Sequence, residues 1–485
     1  MTAESEQQES LLSAEELAAA VRGRFVGSGR RADFFFSSVA TDSRNVRAGS
    51  LFVPLRGEFQ DGHQYVPQAV GTGATVVFID EQAYRTDGGL YDRLSAEHPA
   101  LSIIVVERTL AALQDAAAAY AAHFPNLVKI AVTGSSGKTT SKEMIVSVLK
   151  QQFRVVATQG NFNSETGLPL SVFQIRKEHE VGVFEMGMNR RGEIAEITAV
   201  LKPELALVTN IGTAHIGILG SREQIAAEKR HVFDFIPADG AAFIPADDDF
   251  SAFLADGVAG QVVRFGASVP ASESGVSFVR SCGLSGTICT VDGVEVAVPL
   301  PGRCNYADAL GAIAVGRRLG VPAEKIKRGL ESLAPVSNRM EAEQVVLKSG
   351  VQATLVRDFY NANPDSMAAA VELCASLEGS CRTILVLGDM RELGCESAAL
   401  HERLGVLAAR ARPAFAIFIG PEMGAAYQAA LREGLRSARH FPDCGGDAVS
   451  EAAACIAEQA ESGDVILMKA SRALALERIV PLIQK

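Results

Sequence analysis

The 485-residue chain is short of positive charge: 46 Lys and Arg stand against 57 Asp and Glu, for a formal net charge of −11. A broad nucleic-acid or anionic-membrane surface needs the opposite balance, so neither partner is expected, although a local basic pocket for an anionic ligand is compatible with it. Uninterrupted apolar runs of membrane-spanning length are also missing, since charges or glycine break the longest candidates. The first ten residues, MTAESEQQES, carry no basic stretch followed by an apolar one, so no secretory signal is read and a cytoplasmic protein is expected. The eight cysteines are scattered. Cys374 with Cys381 and Cys282 with Cys289 are the near neighbours, at spacings of neither a zinc knuckle nor a redox C-x-x-C pair, and reduced thiols are expected.

What is present is an ordinary soluble composition, 48% hydrophobic and 21% charged, in a chain too long for one core. Length alone predicts about three domains. Ser13 and Glu16 form a capping-box pattern for a helix through Val21. Short strand-like runs then alternate with turn residues to about residue 107 (SLFVPL, ATVVFI, LSIIVV), which predicts a small α/β domain over residues 1–107. An Ala-rich helix from Leu110 to Phe124, closed by Pro125, leads onward.

From Leu127 apolar strands are each followed by a helical stretch: LVKIAVTG, RVVAT, VGVFEMG, LALVTNIG and GAAFIP. That alternation predicts a parallel sheet with helices on its faces, in a central domain over residues 108–337. Three short antiparallel strands, VVRFG, GTICTV and VEVAVPL, and a helix through NYADALGAIAVGRRLG are expected before the domain closes. A second strand–helix series (ATLVRDFY, TILVLGDM, FAIFIG, DVILMKAS) predicts a Rossmann-like domain over residues 338–485.

The strongest motif is Thr133-Gly134-Ser135-Ser136-Gly137-Lys138-Thr139-Thr140, between a strand and an amphipathic helix. Amides of a glycine-rich loop and a helix start converge on phosphate oxygens, Lys138 adds a positive charge for the terminal phosphates, and Thr139 offers its hydroxyl to Mg²⁺. Val132 stands where the usual motif has its first glycine. Glu185, Asn210 and His215 lie just past strand ends of the same sheet, where open α/β sheets place ligands, and a carboxylate and an imidazole there suit a metal bound to a triphosphate. Each singly is equally a satisfied polar loop residue. Lys229, flanked by Glu228 and Arg230, reads on spacing alone as part of a solvated helix face.

Taken in order and spacing, TGSSGKTT, QGNFNSETGLP, EMGMNRRGEI and NIGTAHIG resemble the Mur ligase family. The stretch ATDSRNVRAGSLFVPLRGEFQDGHQYVPQAVGTGA is similar to that family's UDP-binding domain. RDFYNANPDSM, VLGDMRELG and GDVILMKASRALALERIV are similar to the member that adds D-alanyl-D-alanine, so the resemblance covers nearly the whole chain from Ser37. It implies a monomeric, three-domain, ATP- and Mg²⁺-dependent ligase of peptidoglycan synthesis. Its N-terminal domain would hold a UDP-N-acetylmuramoyl-tripeptide and its C-terminal domain D-alanyl-D-alanine. The peptide carboxylate would be phosphorylated and then attacked by the dipeptide amine.

Residue by residue, the resemblance implies that Lys138 and Thr139 serve ATP and Mg²⁺, and that Glu185 and His215 bind metal. Lys229 matches a lysine that is carbamylated in many members, where it helps position a second Mg²⁺. Asn161, Asn163 and Thr166 match a segment near the reacting carboxylate, and Asn305 and Arg339 match nucleotide contacts. Cys304 stands where the family often has His, and a thiol cannot duplicate an imidazole's polar contacts. Asp42, Ser43 and Arg44, with Arg56, Gly57 and His63 nearby, match the uridine-diphosphate pocket, while a structural salt bridge is the other reading of Arg44. Asp358, Tyr360, Asn361 and Asn363 match the dipeptide segment, whose two carboxamides suit a zwitterion but suit equally an Asx-type turn before Pro364.

Overall fold

The structure, a computed structural model, describes residues 10–26, 36–334, 337–377 and 379–485, so residues 1–9 of the polar N-terminal stretch lie outside the described residues. The chain forms two compact units, the first made of residues up to Ala131, Arg154–Met188 and Gly192–Glu204, the second of Val132–Phe153, Asn189–Arg191 and Leu205–Lys485.

The first unit opens with the helix Ala14–Val21, capped as its sequence predicts: Glu16 N donates to Ser13 Oγ at 3.2 Å and Ser13 N to Glu16 Oε2 at 2.9 Å. Arg22, at φ 50°, ends it. Strands β1 (Arg24–Phe25), β2 (Ser38–Ala40), β3 (Ser50–Phe52), β4 (Ala74–Asp80) and β5 (Ser102–Val106) form a sheet in the order β1-β5-β4-β3-β2. All neighbours run parallel except β1, which is antiparallel to β5. Alternate residues Val77 and Ile79 on β4, and Ile103 and Val105 on β5, pack with Val66, Ala69 and Val70 of the helix Val66–Thr72. Each valine or isoleucine so removed from water contributes roughly 1.5–3 kcal/mol. The Ala-rich helix runs Thr109–Ala121, and its Tyr120 hydroxyl donates to Ile175 O at 2.7 Å. Strand β6 (Val128–Thr133) carries the chain from the first unit into the second, and β7 (Val155–Ala157) pairs in parallel with β8 (Val181–Glu185).

In the second unit β9 (Leu205–Val208), β10 (Ala241–Pro245) and β11 (Gln261–Phe265) are parallel neighbours. The run VVRFG is therefore not the antiparallel strand expected of it. The antiparallel trio is β12 (Val276–Ser281), β13 (Thr287–Val291) and β14 (Val294–Val298), of which β12 was not anticipated. Apolar alternation fixes which side chains are buried but carries no information on strand direction, which explains the error. The anticipated long helix spans Arg303–Arg318.

The rest of this unit is a six-stranded sheet of β15 (Glu341–Val346), β16 (Gln352–Asp358), β17 (Thr383–Gly388), β18 (Phe415–Ile419), β19 (Ala438–Phe441) and β20 (Val465–Lys469), in the order β15-β16-β20-β17-β18-β19. Only β15 is antiparallel to its neighbour. Strands β17, β18 and β20 are buried along their whole length, as parallel strands covered on both faces must be. Leu385, Leu387, Ala416, Phe418, Val465 and Leu467 pack in one core, whereas Ile384, Val386, Ile417, Ile419, Ile466 and Met468 pack in another. The α/β class read from the sequence holds throughout. Among the described residues no helix is long and apolar enough to cross a membrane, and all eight cysteines are free thiols.

Candidate active site

The phosphate loop joins β6 to the helix Lys138–Leu149 and is braced by the chain that follows β9. Ser135 N donates to Asn210 O at 3.0 Å, Ser136 N to Asn210 Oδ1 at 3.1 Å, Asn210 Nδ2 to Ser136 Oγ at 2.9 Å, and Gly212 N to Ser135 Oγ at 2.8 Å. Thr209 Oγ1 donates to Ser136 O at 2.5 Å. Both glycines are required sterically. A Cβ on Gly134 would lie 1.8 Å from Thr209 Oγ1, and one on Gly137 2.5 Å from Asp308 Oδ1, each at a positive φ. Because Ser135 and Ser136 spend their amides on Asn210, the start of the helix Lys138–Leu149 is the part of the loop that would meet a phosphate. Lys138 Nζ folds back to Gly134 O at 2.9 Å, and the Thr139 side chain is buried in the first helical turn.

Under this loop lies Asp308, one turn beyond Asn305 on the helix Arg303–Arg318, accepting a hydrogen bond from Ser141 Oγ at 2.8 Å. Burial pushes its carboxyl up to about 8, against the opposing pull of the Ser141 hydrogen bond and the Arg339 charge. Asn305 is buried and donates to Pro301 O at 2.6 Å, and Cys304 beside it is exposed.

Lys229 is 1% exposed, which overturns the solvated-face reading. Its helix, Arg222–Arg230, turns Ile225, Ala226, Glu228 and Lys229 inward. Burial first, then the charge of Lys138, drives the Lys229 amine well below its ordinary value, with Glu228 opposing.

Glu185 ends β8, 2% exposed, and its Oε1 accepts from Asn163 Nδ2 at 2.7 Å. Two residues assigned separately from the sequence are thus partners. Its Oε2 is buried with no hydrogen-bond partner, an unsatisfied acceptor that suits a cation. Asn163 is held by Gly187 N donating to its carbonyl at 2.7 Å, Asn161 is exposed, and Thr166 precedes the helix Gly167–Val172. His215 sits at φ 64°, with Nδ1 2.7 Å from Glu392 Oε2. Among the described residues no group of three or more His, Cys, Asp or Glu is arranged to hold a metal. Magnesium bound with ATP takes much of its coordination from phosphate and water, so a preformed carboxylate cage is not required.

In the first unit, Arg44 donates to Asp42 through Nε and Nη2, the latter at 2.6 Å, and those bonds hold the Asp42 carboxyl down to about 2. Ser43 Oγ donates to Gln68 Oε1 at 3.1 Å. Arg56 bonds Asp80 at 2.7 and 3.0 Å and lies 2.7 Å from Asp61. His63 is buried between the same two carboxylates: its Nε2 accepts from Asp80 N at 3.1 Å, so Nδ1 carries the proton and donates to Asp61 at 2.6 Å. Gly57, in the exposed turn beside Arg56, donates its amide to Gln60 O at 2.8 Å.

In the C-terminal segment Asp358 is bound by the buried Lys469, Nζ to Oδ2 2.6 Å, and Lys469 also donates to Asn361 O at 3.2 Å. Asn363 caps the helix Pro364–Ser376 by accepting from Ser366 N at 2.9 Å, and Asn361 Oδ1 accepts from Ala362 N at 2.9 Å. Neither carboxamide closes the Asx-type turn expected before Pro364, whose bond would reach the amide two residues on; Asn363 acts instead as a helix cap and Asn361 bonds the adjacent amide. Arg339 stacks on Tyr360, 4.0 Å from the ring centre, and its neighbours Asn338 and Met340 both take positive φ. Sequence reasoning assigned no role to Asp308, Asp365, Glu392 or Lys469. Their partners are distant in the chain, and neither periodicity nor motif spacing brings them together.

Three family models match in succession: "Mur ligase family, catalytic domain" over residues 36–126, "Mur ligase middle domain" over 132–316, and "Mur ligase, glutamate ligase domain" over 338–472. The UDP-N-acetylmuramoyl-tripeptide--D-alanyl-D-alanine ligase of Treponema pallidum is 42% identical over 98% of this chain and 99% of its own length. The protein of that name from Bacillus subtilis is 36% identical over 91% of this chain and 92% of its own. Among solved structures, a crystal structure of MurF from Acinetobacter baumannii matches with TM-score 0.81 at 29% identity, over 96% of this chain and 97% of that one. A MurF ligase from Thermotoga maritima in complex with ADP matches with TM-score 0.75 at 26% identity, over 92% and 96%. With family models in sequence along most of its length and relatives above 30% identity spanning nearly all of it, this chain belongs to the Mur ligase family.

Proposed function

We propose that this chain joins D-alanyl-D-alanine to UDP-N-acetylmuramoyl-tripeptide at the expense of ATP, giving the UDP-muramoyl-pentapeptide precursor of peptidoglycan with ADP and phosphate. The observation that carries the proposal is the near-full-length likeness to ligases bearing that name, over 98% and 91% of this chain. In this reading residues 1–107 hold the UDP-muramoyl peptide, 108–337 hold ATP and 338–485 hold the dipeptide, in a cytoplasmic monomer.

A carboxylate is a poor acylating agent. Attack of its oxygen on the γ-phosphorus of ATP expels ADP and leaves an acyl phosphate, from which the dipeptide amine, once deprotonated, displaces phosphate to form the amide. Lys138 and the amides at the helix start bind and orient the phosphates, while Asn305 and Arg339 contact the nucleotide. Asp42, Ser43, Arg44, Arg56, Gly57 and His63 bind the UDP moiety, and Asn161, Asn163 and Thr166 line the approach to the reacting carboxylate. Asp358, Tyr360, Asn361 and Asn363 receive the dipeptide.

Thr139, Glu185, His215 and Lys229 would hold magnesium, which when bound offsets negative charge on the phosphates. The unpaired Glu185 Oε2 supports this assignment. The lowered basicity of the buried Lys229 amine supports the rest: only an unprotonated amine adds to carbon dioxide, forming an N–C bond and losing a proton to become a carbamate with two oxygen donors.

The test is a phosphate-release assay with product identified by mass spectrometry, supplying each UDP-muramoyl acceptor and each amino substrate in turn. Release that requires both UDP-muramoyl-tripeptide and D-alanyl-D-alanine is expected. Product with a free amino acid on the shorter UDP-muramoyl-dipeptide, and none with D-alanyl-D-alanine, would move the chain to a neighbouring step of the same series.

A further inference from the structure

The loop of residues 212–217, which carries His215, is gripped at two points by the C-terminal segment. Asp365, the second residue of the helix Pro364–Ser376, accepts from Thr213 N at 2.6 Å and from Thr213 Oγ1 at 2.8 Å with the same oxygen. A Cβ on Gly212 would lie 2.3 Å from that oxygen, so the approach depends on glycine. At the other end Glu392 Oε2 lies 2.7 Å from His215 Nδ1, and Gly217 N donates to Glu392 O at 3.0 Å. There too the backbones are flush: a Cβ on Gly217 would meet Gly394 N at 2.5 Å. His215 and Glu392 face one another at φ 64° and 63°, a left-handed conformation that costs a side-chain-bearing residue energy and persists only where surrounding contacts impose it.

Asp365 stands two residues after Asn363 and seven after Asp358, at the end of the segment assigned above to the dipeptide. One grip thus adjoins the segment for the amino substrate, and the other holds the imidazole assigned to the metal. We propose that Asp365 and Glu392 are positioning residues that clasp the 212–217 loop, so that the dipeptide segment and His215 are set in register as one piece. The clasp rests on the ligase reading for its purpose, but its existence does not depend on which amino substrate is used.

The experiment compares full-length Asp365→Ala and Glu392→Ala with the parent by amide hydrogen exchange in the unliganded state and by steady-state kinetics. Exchange at residues 212–217 should rise about tenfold in each, the scale of losing a charge-assisted hydrogen bond. The KM for D-alanyl-D-alanine should rise about threefold or more and kcat fall, while the KM for UDP-muramoyl-tripeptide stays within about twofold. Asp365→Asn and Glu392→Gln, which keep an acceptor in place, should recover part of each effect, and they carry the test if an alanine variant does not fold. Unchanged exchange at 212–217 in the variants would overturn the proposal. So would kinetic losses shared equally by all three substrates, which is the mark of a general loss of stability. Failure of the parent chain to ligate D-alanyl-D-alanine would remove the ligase reading, and the exchange result would still decide the clasp.

Discussion

The Arg44 and Arg56 cluster of the first unit and the phosphate loop of the second treat charge in opposite ways. Around Arg44 and Arg56 the carboxylates of Asp42, Asp61 and Asp80 each have an ionic partner. Asp42 is held down to about 2, and although burial raises Asp80, hydrogen bonds from Arg56 and from the Ala83 amide keep it below its usual range. Around the phosphate loop the bracing is neutral, built from Asn210, Thr209 and two serines, and the charged groups are buried and under-compensated: Asp308 is pushed up and Lys229 down. A ligand entering the first cluster must exchange partners with existing ion pairs. One entering the second meets a loop already held in place and supplies charge that the site lacks, which is how a site prepared for ATP and a cation should be built.

Removing the charges of the second region should cost most. Lys138→Ala is expected to lower kcat by on the order of 10³, measured by phosphate release, since the lost group faces charge that develops during transfer. Lys229→Ala should lose nearly as much, and added short-chain carboxylates should restore part of the activity; full activity without rescue would take Lys229 out of the site. Asn210→Ala leaves every charge in place but unties the brace, and should lower kcat about tenfold and raise the KM for ATP with little change in circular dichroism.

Asp308 and the first-unit carboxylates should respond to pH with opposite sign. Asp308 has a folded value near 8, above its unfolded one, so its ionisation penalises the fold increasingly from about pH 4 to about 8 and fully above that. The Tm advantage of Asp308→Asn over the parent should accordingly widen across that range. Asp42, with a folded value near 2, contributes stability that is present above about pH 4 and lost as the pH falls through 2. The smallest effect is expected from Arg44→Ala. The exposed pair should move Tm by no more than about 1–2 °C, while the KM for the UDP substrate rises severalfold; an unchanged KM would return Arg44 to a purely structural role.

Much of this was legible in the sequence where burial is two-sided. The runs TILVLG, FAIFI and VILMK are continuous because both faces of those strands are covered, and each became a strand. Strand β15, EAEQVV, lies at the sheet edge with Glu343, Gln344 and Val346 exposed, and β19, ARHF, is short; neither carries a clear apolar period. The phosphate loop was readable because its residues are consecutive. Lys229 was not readable from its neighbours, because a charged tetrapeptide looks the same whether its helix faces water or the interior. Asn361 and Asn363 lie just past the end of β16, near a strand end as the sequence suggested, but the engagement of Asp358 with Lys469 and of Asn363 with Ser366 depends on chain geometry that no local pattern encodes.

The two cores of the C-terminal sheet make chain adjacency a poor guide to energetic kinship. Ile384 and Leu385 are joined by a peptide bond yet belong to separate packing communities, whereas Leu387 and Phe418 share one. Truncating the first pair together should cost the sum of the single losses, while the second pair should depart from additivity, because one cavity there is shared by both vacancies. The sheet behaves thermodynamically as a partition wall, and damage on one side of it is largely unheard on the other.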